Sequence, residues 1–142
     1  RTVHIGARGE VKFERGWYAY AGSAMNGLFP RVNRHFRREK RLHWHIDDFL
    51  AAARAVDAVL VPTEDRVECL ISSRLAGTLR TIEGFGASDC SCSGHLFHAA
   101  GEEQLRCAVE SVAAAVAASS NRTAELYHLM PGGSPVPLQH NP

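Results

Sequence analysis

A short strand followed at once by a basic helix is the feature that most limits how this chain can fold. Aromatic and small residues alternate from Trp17 to Ala21, which is typical of a β-strand, and Gly22-Ser23 ends the pattern. Residues 26–38 then place apolar side chains at steps of three and four, with arginines on a neighbouring face. This order predicts a phosphate-binding site, with nucleic acid as the first partner to consider.

The positive charge is concentrated in one stretch of the sequence. The 142 residues carry a formal net charge of +1 and are 45% hydrophobic, which suits one domain with its own core and excludes a general polycation. Between Arg31 and Arg41, Lys and Arg residues outnumber a single acid, Glu39. A solvated helix face followed by a charged loop would look the same, so this alternative stays open.

The whole pattern predicts an α+β fold, with a small antiparallel or mixed sheet of about three strands flanked by helices. Residues 2–5, 11–13 and 18–21 are β-prone and predict a hairpin or meander, and residues 56–61 predict a buried strand. Thr63 is expected to cap a helix that carries Glu64 and Asp65 in its first turn and ends at Gly77. The inward residues of this helix are expected to be Val67, Leu70 and Ile71. We expect a main domain of residues 1–100, a helical extension of residues 101–129 and a flexible tail of residues 130–142. Within the extension, the apolar spacing predicts a helix from Glu102 to Ser119.

Two tyrosines on the strand are the first candidates for chemistry. Tyr18 and Tyr20 are two residues apart and therefore share one face of the strand. A phenol hydroxyl can orient or help to deprotonate an attacking water. Packing of one or both rings against the core is the competing interpretation.

Charged residues on the later helices complete a possible catalytic set. Arg31 suits a phosphate, because a guanidinium donates two parallel hydrogen bonds, and His35 lies one helical turn further along. Glu68 is expected in the middle of its helix, where a carboxylate can bind a hard cation such as Mg²⁺ or can simply be exposed. Capping accounts more simply for Glu64 and Asp65.

With these residues the chain resembles the GIY-YIG endonuclease superfamily, and more narrowly its Uri-type branch, once filed as a domain of unknown function. The resemblance covers about residues 1–100 and rests on five motifs in order: Tyr-Ala-Tyr-Ala-Gly-Ser-Ala at 18–24, Arg-Val-Asn-Arg-His at 31–35, His-Trp-His-Ile-Asp at 43–47, Glu-Cys-Leu at 68–70, and Gly-Phe-Gly-Ala-Ser-Asp-Cys-Ser-Cys with His-Leu-Phe within 84–97.

The resemblance implies an endonuclease that uses Mg²⁺ or Mn²⁺ to hydrolyse DNA that is single-stranded or structured, without sequence specificity. It implies that Tyr20 is the tyrosine of the second half-motif, Arg31 the phosphate-binding arginine, His35 the helix histidine and Glu68 the metal ligand, with Tyr18 as a further catalytic candidate. The family's first half-motif, Gly-x-Tyr, has no convincing counterpart here and is expected upstream of Arg1. A nucleic-acid-binding module without catalysis is the alternative.

Further residues are expected to contact nucleic acid or to form a polar loop. The nucleic-acid set is Arg34, Arg37, Arg38, Lys40, Arg41, His43 and His45. The loop set is Asp89, Cys90, Cys92 and His95, which either holds Zn²⁺ or orders the loop by hydrogen bonds. Against zinc, Cys-x-Cys is not the usual spacing of zinc ligands, and Cys69 and Cys107 are expected to be isolated and packed. No signal peptide or membrane-length segment is visible, so a reduced, cytoplasmic protein with no membrane partner is expected.

Overall fold

The protein has an α+β fold in which small antiparallel sheets are flanked by helices. A computed structural model describes residues 1–23, 28–37, 45–63, 66–87, 90–119 and 126–138. Within these residues there are eight strands: β1 (Thr2–Ile5), β2 (Gly9–Lys12), β3 (Trp17–Tyr20), β4 (Ala58–Leu60), β5 (Arg80–Thr81), β6 (Leu96–Ala99), β7 (Tyr127–Leu129) and β8 (Val136–Pro137). The α-helices described are α1 (Leu28–Phe36), α2 (His45–Leu50), α3 (Glu68–Ala76) and α4 (Glu102–Ser119).

The sheet that carries the candidate site has the order β3-β6-β5. Strand β6 lies in the middle and pairs antiparallel with both neighbours, with Tyr20 opposite Leu96 and Trp17 opposite Ala99. Successive side chains of a strand point to opposite faces. Leu96 therefore packs into one core cluster and Phe97 into another, so that β6 is covered on both faces.

The two faces of this sheet have different partners. On one face, α3 and α4 contribute Leu75, Val112 and Val116 to the cluster around Phe97. On the other face, β1, α2 and the loop before β6 contribute a cluster that includes Ile5, Phe13, Ile46, Phe49 and Phe85. Tyr18 and Tyr20 pack against the edge of this second cluster, which fixes the direction of the β3 side chains.

The remaining strands form separate sheets. Strands β1 and β2 form a hairpin, as predicted, but β3 does not continue it as a meander, because its partner is the distant β6. Strands β4, β7 and β8 form a third sheet. Within residues 130–142, Val136–Pro137 form strand β8, which pairs with β7. Helix α4 has the bounds that its apolar spacing predicts.

The start of α3 differs from the prediction in a way that matters for the site. The helix begins at Glu68, so Glu68 is its first residue and does not lie in its middle. Residues 64 and 65, expected in the first turn, lie outside the described residues, and Thr63 is too early in the chain to be the cap. Leu70 is exposed on α3, whereas its spacing predicted an inward position. Among the described residues, no helix is long and apolar enough to cross a membrane.

Candidate active site and cysteine cluster

Tyr20 lies at the centre of the candidate active site. Its ring meets the ring of His35 on α1 edge to face, with 6.3 Å between ring centroids, and the ring of Phe85 at the same distance. Gly86 passes directly beside this ring: a Cβ added to Gly86 would lie 3.8 Å from the Tyr20 hydroxyl and 3.6 Å from the Cβ of His95. A glycine suits this position because its φ of +69° is one that other residues rarely adopt.

Burial and three charged residues of both signs shift the pKa of the Tyr20 hydroxyl. Burial raises the pKa of Tyr20 above its usual value, the positive charge of Arg31 lowers it in part, and the carboxylates of Glu68 and Asp47 raise it further. The phenol therefore stays protonated at neutral pH. It can donate a hydrogen bond and can accept one, but it does not act as an anionic base.

Glu68 is tied to the end of β3 by a hydrogen bond. The Ser23 hydroxyl donates to Oε2 of Glu68 at 2.7 Å, and Ser23 lies just beyond the end of β3. As the first residue of α3, Glu68 also lies where the helix dipole favours a negative charge. Its side chain retains 28% exposure, so solvent reaches the carboxylate. The predicted set of Tyr20, Arg31, His35 and Glu68 is thus brought together by β3, α1 and α3.

Arg34 forms an ion pair with a buried carboxylate. Its guanidinium donates two hydrogen bonds to Asp47 on α2, from Nη1 to Oδ1 at 2.8 Å and from Nη2 to Oδ2 at 2.9 Å. The Asp47 side chain is fully buried, and a buried carboxylate needs such a partner. The structure therefore places Arg34 in an ion pair that joins α1 to α2. A contact of Arg34 with nucleic acid stays a prediction.

Tyr18 packs into the aromatic cluster. Its hydroxyl donates to the backbone carbonyl of Glu14 at 2.6 Å, and its ring contacts Phe13 and Phe49 at centroid distances of 6.0 and 5.1 Å. Burial raises the pKa of Tyr18, and the charges that act on it are those of Arg80 and Glu14. Tyr18 is therefore placed for packing, as the competing interpretation expects, and its catalytic role stays a prediction.

The other predicted contacts with nucleic acid are only partly described. Arg37 is exposed just after the end of α1. His45 begins α2, and its ring faces Phe85 at a centroid distance of 6.1 Å. The remaining members of the set lie outside the described residues: Arg38, Lys40, Arg41 and His43. The loop residue Asp89 also lies outside them.

Beside Glu68 lies a group that we call the Cys3His cluster. Its members are Cys69, Cys90, Cys92 and His95, and their sulfur and nitrogen atoms all lie within 4.8 Å of one another. This group could hold a metal ion. Cys69 comes from the first turn of α3, whereas the other members come from the loop before β6.

The thiols and the imidazole of the cluster interact directly. The Sγ atom of Cys90 lies 3.1 Å from Nε2 of His95. Hydrogen bonds from His95 and from the backbone N–H of Cys92 lower the pKa of Cys90 to about 7, which favours the thiolate. The pKa of Cys92 is raised to about 12, first by its hydrogen bond with Cys69 and then by burial. The four cysteines, all within the described residues, are free thiols.

Cys69 is the member that the sequence did not predict. It was expected to be isolated and packed, yet it is exposed and belongs to the cluster. Only the fold brings the first turn of α3 against the loop that holds Cys90 and Cys92. Its position directly after Glu68 is the one signal that could have indicated a role. Cys107 lies on α4, outside the cluster.

The fold and the site define a small α+β domain in which a carboxylate, a tyrosine, an arginine and a histidine meet beside a cysteine-rich cluster. The chain belongs to the family described as Domain of unknown function DUF123, whose model matches residues 1–118. This match includes α4 almost entirely and so extends beyond the motifs of the first 100 residues. No curated protein and no solved structure was found to match the chain.

Proposed function

We propose that this protein is a divalent-metal-dependent endonuclease that hydrolyses phosphodiester bonds of DNA. The observation that carries the proposal is that the ring of His35 lies against Tyr20 while the charges of Arg31 and Glu68 act on the Tyr20 hydroxyl. The resemblance of the motifs to the GIY-YIG superfamily, Uri-type branch, also supports it. The substrate is single-stranded or structured DNA, since no element that would read base sequence is evident in the motifs.

Glu68 is the proposed ligand of the catalytic Mg²⁺ or Mn²⁺ ion. A carboxylate is the hard oxygen donor that these ions prefer, and water and phosphate oxygens complete their coordination. Each carboxylate oxygen has more than one acceptor site, so the hydrogen bond from Ser23 leaves Glu68 able to bind a cation. When bound, such an ion stabilises negative charge on the phosphate and the leaving oxygen.

The other residues of the site have proposed roles that follow from their chemistry. Arg31 binds nonbridging phosphate oxygens and stabilises the charge that grows on them. Tyr20 remains protonated and accepts a hydrogen bond from the attacking water, while His35 beside it takes the proton of that water. The water oxygen bonds to phosphorus, one bridging P–O bond breaks, and the leaving oxygen takes a proton from solvent water.

Binding of the DNA backbone is assigned to the basic residues that follow the site. Arg37 is exposed at the end of α1, and the sequence continues with Arg38, Lys40 and Arg41. Neutralisation of phosphates by such residues releases counterions, so binding weakens as salt increases. The free thiols support a reducing compartment, and a cytoplasmic location is part of this proposal.

The direct test is incubation of end-labelled single-stranded, flap and duplex DNA with Mg²⁺, Mn²⁺ or EDTA. We expect fragments with either metal and none with EDTA. Arg31→Ala should slow cleavage about 100-fold or more, as the loss of a group that stabilises the transition state does. Arg74→Ala is the matched control, because Arg74 is an exposed arginine on α3, and it should cleave like the wild type. Retention of DNA without fragments under any metal would favour the binding module and contradict the proposal.

A further inference from the structure

We propose that the Cys3His cluster is a structural zinc site that fastens the first turn of α3 to the loop before β6. Three thiol sulfurs and one imidazole nitrogen are the soft ligands that select Zn²⁺, and four protein ligands make a closed, structural site. This site is distinct from the proposed Mg²⁺ or Mn²⁺ site, which uses a carboxylate. Its existence does not depend on nuclease activity.

The spacing of the ligand atoms fits a tetrahedral ion. A zinc–sulfur bond of about 2.3 Å places the sulfurs of a tetrahedral site roughly 3.8 Å apart. The four ligand atoms already lie within 4.8 Å of one another, so a side-chain adjustment of about 1 Å completes the geometry. No movement of the backbone is required by these distances.

The other ring nitrogen of His95 provides a second, independent observation. Its Nδ1 lies 2.5 Å from the Ser72 hydroxyl and 3.6 Å from Oε1 of Glu68, whereas its Nε2 faces the thiols. A histidine that binds a metal through one nitrogen usually donates the other N–H to an oxygen, which fixes its tautomer and orientation. His95 is 1% exposed, and its contact with Ser72 on α3 fixes the orientation of its ring.

The backbone holds the loop ligands in place without help from a metal. The backbone N–H of Gly84 donates to the carbonyl of Ser93 at 2.6 Å, and that of His95 donates to the carbonyl of Phe85 at 2.8 Å. Gly94 passes so close to the carbonyl oxygen of Ile82 that a side chain there would collide with it. The described parts of the loop are thus held together by backbone contacts, and the loop thiols lie beside Cys69 of α3.

The proposed zinc ion would stabilise the first turn of α3 in particular. Among the described residues, no side chain caps this helix at Val67, so its first turn has few constraints of its own. Zinc bound to Cys69 constrains the turn that also carries Glu68. The ion therefore positions Glu68, a consequence that rests on the proposed nuclease function.

The experiment uses the whole protein and the metal alone. Zinc content is measured by mass spectrometry of the purified protein, and metal-free protein is titrated with Co²⁺ under reducing conditions. We expect one ion per chain and the strong thiolate and tetrahedral Co²⁺ absorption bands. Cys69→Ser and Cys92→Ser should bind Co²⁺ at least tenfold more weakly, whereas Cys107→Ser, which changes an exposed cysteine outside the cluster, should bind it like the wild type.

Two further variants test the details. Ser72→Ala should weaken Co²⁺ binding roughly 10- to 100-fold, because it removes the partner of Nδ1. Glu68→Gln should still bind one Co²⁺ ion per chain at the Cys3His cluster, although it is expected to abolish cleavage. The zinc site and the nuclease proposal can therefore be tested, and refuted, independently of each other. Absence of thiolate bands in the reduced wild type, or a disulfide among the cluster thiols in place of metal binding, would overturn the zinc site.

The effect of zinc on the position of Glu68 is tested by the Mg²⁺ concentration that cleavage requires. Cys92→Ser should raise the Mg²⁺ concentration needed for half-maximal cleavage at least tenfold with little effect on DNA affinity. Cys92→His, which restores a zinc ligand, should return the Mg²⁺ requirement toward the wild-type value. An unchanged Mg²⁺ requirement in a Cys92→Ser protein that has lost its zinc would overturn the positioning role.

Discussion

At the scale of single residues, neighbouring groups decide which chemistry each side chain can perform. Arg31 and Arg34 lie on the same helix, three residues apart, and Arg34 donates two hydrogen bonds of 2.8 and 2.9 Å to the fully buried Asp47. Tyr18 and Tyr20 share a face of β3, but Tyr18 donates to a backbone carbonyl whereas Tyr20 lies under the charges of Arg31 and Glu68. Similar sequence positions thus have different roles.

The ion pair of Arg34 with Asp47 is expected to stabilise the fold. Arg34→Met leaves a buried carboxylate without this partner, so the free energy of unfolding should fall by about 3–5 kcal/mol. Urea unfolding followed by tryptophan fluorescence measures this change. The double variant Arg34→Met with Asp47→Leu should recover most of the loss. Arg106→Ala, which breaks exposed pairs, should cost about 1 kcal/mol or less. Equal effects of Arg34→Met and Arg106→Ala would contradict the structural role.

The raised pKa of Tyr20 predicts a dependence of stability on pH. Burial keeps the folded phenol protonated above pH 10, where the unfolded phenol ionises at its usual pKa of about 10. The unfolded state then binds fewer protons than the folded state, so stability is present below about pH 10 and falls as the pH rises toward the folded pKa. Urea midpoints at pH 8 and 10.5 should differ less for Tyr20→Phe than for the wild type. An equal difference would show that Tyr20 does not titrate in this way.

At the scale of elements, helix α3 connects the two candidate sites. The first residue of α3, Glu68, is the proposed Mg²⁺ ligand, and the second, Cys69, contributes a thiol to the Cys3His cluster. Ser72 on the same helix contacts the histidine of the cluster. The sequence predicted the end of α3 but not its start, because Thr63 followed by Glu64 and Asp65 looks like a helix N-terminus, whereas the helix begins at Glu68. Periodicity also could not reveal Cys69 as a partner of the loop, since that contact depends on tertiary packing.

Removal of zinc should therefore loosen α3 first. A ligand that binds only the folded state stabilises it by about 4 kcal/mol at a free concentration 1,000 times its Kd. For a chain of this length, that corresponds to a change in Tm on the order of 10 °C. Differential scanning calorimetry with and without a chelator measures the change. The Cys69→Ser protein should lose this response to the chelator, and Cys107→Ser should keep it; an unresponsive wild type would count against the site.

At the scale of the whole molecule, local patterns predicted the elements better than their partners. The bounds of α4 and the hairpin of β1 with β2 follow from spacing within short segments. The pairing of β3 with β6 joins residues around position 20 to residues around position 96, and such distant contacts leave no periodic signal in the chain. The motifs singled out His35, whose ring lies against Tyr20, and Arg31 and Glu68, whose charges act on the Tyr20 hydroxyl. The catalytic roles of these residues stay predictions.

The most direct test of the proposed function is a comparison of two glutamate variants in the cleavage assay. Glu68 and Glu103 both lie in the first turn of a helix, but only Glu68 lies beside Tyr20. With labelled single-stranded and flap DNA and Mg²⁺, Glu68→Gln should produce no fragments while retaining its thermal unfolding profile, and Glu103→Gln should cleave like the wild type. Cleavage by Glu68→Gln at the wild-type rate would contradict the account.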